Sequence, residues 1–112
     1  MFIAKLRDGG MMGLPPETII SYEAFKGYVR LVCVVGSSHL VLNTLAECEE
    51  ALAALEGIEI ERGRVINPQY CVVWEEKGRN AIALMQSGER LNVSRRMKAR
   101  FVELMKRLLG ER

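Results

Sequence analysis

The sequence predicts a β-rich α+β domain, built of short antiparallel strands with one short central helix and one C-terminal helix. Three observations carry that prediction. Short runs of Val, Ile, Leu and Tyr recur between glycine-containing turns, and the connections are too short for the crossovers of a parallel sheet. The apolar rhythm changes to a helical one at only two places, after Thr44 and after Ser94. The 112 residues, 49% hydrophobic and 27% charged, suit one globular core and exclude a disordered chain, so residues 1–112 are read as a single domain.

Phe2 to Arg7 alternates as a first strand, and the glycines and Pro-Pro of Asp8 to Glu17 read as a loop. Thr18–Glu23 and Tyr28–Val35 form a hairpin about Phe25-Lys26-Gly27. Gly36-Ser37 turns the chain into the strand Ser38–Asn43. At Thr44, "TLAE" is a capping box: the hydroxyl accepts the Glu47 amide proton, and the Glu47 carboxylate reaches back. Leu45, Cys48, Leu52 and Leu55 then recur at helical spacing, and Gly57 supplies a left-handed stop. "IEIER" alternates as a half-buried strand, "VIN" closes against Pro68, and "QYCVVWE" is a further strand. Gly78-Arg79-Asn80 turns into "AIALMQ", and Ser87-Gly88-Glu89 into "RLNV". Beyond Ser94, read as a helix cap, Met97, Phe101, Leu104, Met105 and Leu108 share one helical face that ends at Gly110.

Few residues suggest an enzyme. The one histidine, His39, lies in an apolar strand; a dyad with Cys33 lacks a third, orienting group. "GGMMG" lacks the Lys-Ser/Thr and the helix of a phosphate loop. Glu47, Glu49 and Glu50 read as a solvated helix face. Cys33, Cys48 and Cys71 have no metal spacing and are expected as free, packed thiols in a reducing cytoplasm. The chain start lacks the pattern of a signal peptide, and no apolar run is long enough for a membrane span, so the expected location is cytoplasmic. No cofactor or metal is implied.

The net charge of +2 is small but polarised. Six acids (Glu47, Glu49, Glu50, Glu56, Glu59, Glu61) and no Lys or Arg lie between Thr44 and Glu61. From Ser94 to Arg112 seven bases face only Glu103 and Glu111. Arg95 and Arg96 at a helix start oppose the helix dipole, which favours anions there. Two guanidiniums beside free amides make a phosphate seat, and arginine can also grip guanine O6 and N7. The other reading of "RRMKAR" is the wet side of an amphipathic helix.

Four stretches together resemble the LytTR DNA-binding domain of bacterial transcription regulators: "ISYEAFKGYVRL", "LVLNTLAECEEAL", "IEIERGRVIN" and "LMQSGERLNVSRRMKARF". Their order and spacing agree with that family, and the Ser-Arg-Arg ending is the most specific. The resemblance implies an elongated β-β-β sandwich of short antiparallel strands. It also implies that loops and a helix start, rather than a recognition helix, reach the DNA grooves. Arg96 is then the expected base reader and Arg95 a phosphate or groove partner. Arg62, at the arginine of the family's His-Arg-Ser motif, is a second contact, with Arg64 and Lys98 on phosphates. Lys26 and Tyr28 on the hairpin turn are a third contact, and Asn67 matches the family's asparagine. The chain departs from the family at Glu61-Arg62-Gly63-Arg64, where His-Arg-Ser-Tyr is usual. A strand would put Arg62 and Arg64 on one face and Glu61 on the other. The expected partner is double-stranded DNA, bound by a homodimer on repeated half-sites, with a regulatory protein partner as a further expectation. The alternative is a protein–protein interaction module that keeps the fold without binding DNA.

Overall fold

A computed structural model describes residues 1–34 and 38–109. The turn expected at Gly36-Ser37 and the helix end expected at Gly110 lie outside the described residues.

Ten strands and two helices follow one another as β1 (Phe2–Lys5), β2 (Met11–Leu14), β3 (Ile19–Phe25), β4 (Tyr28–Cys33), β5 (Ser38–Val41), α1 (Leu45–Ala53), β6 (Ile58–Glu61), β7 (Arg64–Ile66), β8 (Cys71–Lys77), β9 (Asn80–Met85), β10 (Arg90–Val93) and α2 (Lys98–Leu109). Every strand pairing is antiparallel. The strands form a β1-β2 pair, a five-stranded sheet ordered β5-β4-β3-β7-β6, and a three-stranded sheet ordered β10-β9-β8. The molecule is elongated, 45 × 25 × 23 Å.

The five-stranded sheet separates two apolar layers. On one face Ile60, Ile66, Ala83, Met85, Phe101 and Met105 pack it against the three-stranded sheet and α2. Trp74 meets Phe101 edge-on at 6.1 Å, fixing α2 on that sheet. On the other face Ala4, Ile19, Tyr22, Leu31, Val41 and Leu52 pack it against β1-β2 and α1. Two-sided burial explains why β3 and β4 read as nearly continuous apolar runs. The three thiols are free and buried; burial pushes those of Cys48 and Cys71 up to about 11.

Several expectations are corrected. The segment Asp8 to Glu17 is not all loop: Met11–Leu14 pairs with β1, and Pro16–Thr18 forms a 3-10 turn. The capping box at Thr44 is present in both directions. Gly57 is not the left-handed residue that ends α1; Glu56 is, at φ 60°. Gly57 serves by lacking a side chain, because a Cβ there would sit 2.9 Å from the Leu52 Cβ. "IERGRVI" is a hairpin whose two-residue turn is Arg62-Gly63, with Gly63 at φ 79°. Arg62 and Arg64 therefore do not share a strand face, and Glu61 sits directly opposite Arg64. The helix α2 begins at Lys98, so Arg95 and Arg96 lie in a separate turn before it. Ser94 is no cap, since its Oγ is buried and makes no hydrogen bond.

Candidate nucleic-acid interface

Four turns are stitched into one row. The β3–β4 turn is a two-residue reversal at Lys26-Gly27, both with positive φ, a type I′ geometry that matches strand twist. Just before it, the Ala24 amide donates to the Gly63 carbonyl at 2.9 Å, placing the β6–β7 turn alongside. The Ser94 amide donates to the Ile60 carbonyl at 2.8 Å, which sets the Ser94–Met97 turn next to β6. Glu59 reinforces that junction: one carboxylate oxygen accepts the Gly63 amide and the other Arg96, each at 3.4 Å. Lys98 Nζ then donates to the Gly78 carbonyl at 2.8 Å, joining the β8–β9 turn to the start of α2. Along this row stand Lys26, Arg62, Arg95, Arg96, Lys98 and Arg79, with Arg7 stacked 4.9 Å over the Tyr28 ring beside its first turn.

Behind the row runs a chain of half-buried polar side chains. Arg30 donates to Glu89 at 2.9 Å and to Glu23 at 2.7 Å, and Glu23 also accepts from Arg64. Arg64 reaches Glu61 at 3.6 Å, Asn92 donates to Glu61 at 3.3 Å, and Asn80 donates to Asn92 at 2.9 Å. The chain starts and ends on the β9–β10 hairpin, so it ties the two larger sheets together at the base of the turns.

The model of the LytTr DNA-binding domain family matches residues 9–106 of the chain. The chain belongs to the LytTR family. Members of that family are DNA-binding domains of transcription regulators. Among solved structures, a domain described as the LytTr DNA-binding domain of a methyl-accepting/DNA response regulator from Bacillus cereus shares the fold at a TM-score of 0.71. Its sequence identity is 20%, and the alignment covers 96% of this chain and 94% of that one. No curated protein matches the sequence. The β-rich architecture of three antiparallel sheets and two helices is thus that of a LytTR domain.

In this LytTR domain the expected contact residues divide by what already holds them. Arg62 and Arg95 are exposed and pair with no other side chain among the described residues. Lys26 is exposed and lies only over the Phe25 ring, at 5.8 Å. Arg96 is exposed but bound to Glu59, and Lys98 is bound to Glu76 at 3.2 Å as well as to Gly78. Arg64 is committed to Glu23 and Glu61. Asn67 is fully buried, donates to the Ile19 carbonyl at 3.1 Å and accepts the Gln69 amide at 3.2 Å. It closes a turn of the chain, capping Pro68–Tyr70 with its side-chain oxygen. Glu61 is also engaged internally, by Arg64 and Asn92, so its charge is partly compensated.

Sequence reasoning passed over Arg79 and Arg7. The signal for Arg79 was present, a cation inside a glycine-led turn. Only the Lys98–Gly78 bond, between residues far apart in sequence, reveals that this turn joins the row.

Proposed function

We propose that this LytTR domain is a sequence-specific DNA-binding module that sets its row of turns across the major groove. From β3 through β7, β6 and β10 to β9 the row crosses five strands, about 20 Å at the usual strand spacing. That width suits a groove of about 12 Å with a sugar-phosphate backbone on either side. The central turns carry Arg62 and Arg95, and the outer ones carry Lys26 and Arg79. The central arginines then read base edges while the outer cations hold phosphates. The observation that carries this reading is the pair of unpaired guanidiniums on adjoining turns, held together by the Ser94–Ile60 backbone bond. Arg95, with no internal acid to leave, precedes Arg96 as base reader; Arg96 must first part from Glu59.

The test starts with selection from a randomised duplex pool, followed by affinity measurements on the enriched site and a scrambled one. Arg95→Ala and Arg62→Ala should each cost about 1–3 kcal/mol on the enriched site and flatten the preference over the scrambled one. Lys26→Ala and Arg79→Ala should weaken both duplexes alike. If no motif is enriched and no duplex is bound, DNA reading is lost. The protein–protein interaction module then stands, favoured by the carboxylates of Glu59, Glu61 and Glu76 threaded among the row's cations. Elution from heparin at low salt would support that second reading. Binding as a homodimer on repeated half-sites is tested by the spacing of any enriched motif.

A further inference from the structure

A cleft of about 360 Å³ lies between α1, the β6–β7 hairpin and the start of α2. Its volume falls in the range of small-molecule sites, about 300–1,000 Å³. Leu52, Ile58, Val65 and Met97 supply apolar surface, and Gly57 adds no side chain to fill it. Two carboxylates and two guanidiniums stand around it: Glu49, Glu59, Arg96 and Arg100. Glu59 and Arg96 satisfy each other. Glu49 and Arg100 form no ion pair with each other or with any other described residue. Tyr22 also lines the cleft, and its residue is 2% exposed. Burial first, then the nearby Cys48, Glu49 and Glu59, push the phenol well above its ordinary value, so it stays a neutral donor.

We propose that this cleft binds a small zwitterion, an α-amino acid with an apolar side chain. Its ammonium pairs with Glu49, its carboxylate with Arg100, and its side chain lies on Leu52, Val65 and Met97. A molecule carrying one charge of each sign completes the pair that the protein leaves open. A single-charged ligand would satisfy one wall and leave the other unmatched. The ligand's two charges fall on Glu49 and Arg100, which stand outside the row of turns, while Arg96 and Met97 of the Ser94–Met97 turn line the cleft beside them.

The test uses the full chain without DNA, titrated with L-leucine, 4-methylpentanoate and 3-methylbutylamine while backbone amide resonances are followed; L-methionine and L-phenylalanine are run alongside. The expected result is saturable movement of residues 49–53 and 97–100, with at least one amino acid binding tenfold or more tighter than either half-charged probe. Arg100→Gln should remove that advantage while leaving 3-methylbutylamine unaffected, and Glu49→Gln should do the converse with 4-methylpentanoate. Both positions are exposed, so an unchanged melting temperature separates loss of binding from loss of fold. The proposal is overturned if none of the amino acids saturates the shifts, if all probes bind alike, or if both variants bind like the parent.

Discussion

Thr44 and Ser94 stand in similar places, each a hydroxyl ahead of an amphipathic helix, and the fold uses them in opposite ways. The Thr44 side chain accepts the Glu47 amide at 3.1 Å, and the Glu47 carboxylate accepts the Thr44 amide at 3.1 Å. The carboxylate near the helix N-terminus is held below its ordinary range, first by that backbone hydrogen bond. Ser94 instead turns its oxygen into the interior without a partner, while its backbone carbonyl accepts the Met97 amide at 3.0 Å. Thr44→Ala should therefore lower stability by about 1 kcal/mol, the usual loss of a cap. Ser94→Ala should change it by less than about 0.5 kcal/mol or raise it, since a buried unpaired hydroxyl is itself unfavourable. Denaturant unfolding of the two variants separates them; an equal loss at both would restore Ser94 as a cap. The same contrast shows what was legible at this scale. Both motifs read alike in sequence, but only at Thr44 are cap and acceptor contained in one local stretch. For the candidate contacts the limit was distance along the chain. Arg64 finds Glu23 41 residues away, and Arg96 finds Glu59 37 residues away. A local pattern exposes a cation but not the acid that already holds it.

At the scale of elements, α1 was legible because its cap and its apolar spacing are all local. The β2 strand was not, because Met11–Leu14 lies among glycines and prolines that read as loop; pairing with β1 needs only its backbone. The β6–β7 hairpin hid inside a regular alternation, with its turn disguised as Arg62-Gly63. Once β7 is seen as a strand beside β3, the role of Glu23 follows: it joins β3 to β4 through Arg30 and to β7 through Arg64. Burial alone would raise its carboxyl, but the hydrogen bonds and charges of Arg64 and Arg30 outweigh burial and hold it below 4.5. A carboxyl depressed by folding contributes stability that is complete above its unfolded value and is lost as pH falls through its folded one. Glu23→Gln should thus be less stable at neutral pH by about 2 kcal/mol, the scale of hydrogen bonds to charged groups. Its remaining stability should also decline less than the parent's as pH falls below the ordinary carboxylate value. Parallel acid-unfolding curves for the two proteins would show that Glu23 plays no such part.

The whole molecule separates its charges more than its net +2 suggests. Acids gather on α1 and β6, and unpaired bases gather on the four turns. If the row neutralises about five phosphates, log affinity should fall against log salt with a slope of about −4 to −5. A slope near zero would mean that the cations stay with Glu59, Glu61 and Glu76 rather than exchanging them for DNA. The overall architecture was the most legible feature of all, because short connections alone force antiparallel order. How the sheets meet was not legible, since Ser94 reaches Ile60 through backbone atoms that leave no mark on residue choice. That junction brings β10 against β6 and leaves β8 at the far side of its sheet, with a hydrogen-bonded neighbour on one edge only. Val72 and Val73 are more than half exposed there. Such an edge can recruit further strands into fibrils. The irregular register at Cys71/Val73 and the charges of Glu75, Glu76 and Lys77 oppose that recruitment, so these residues act as gatekeepers of solubility.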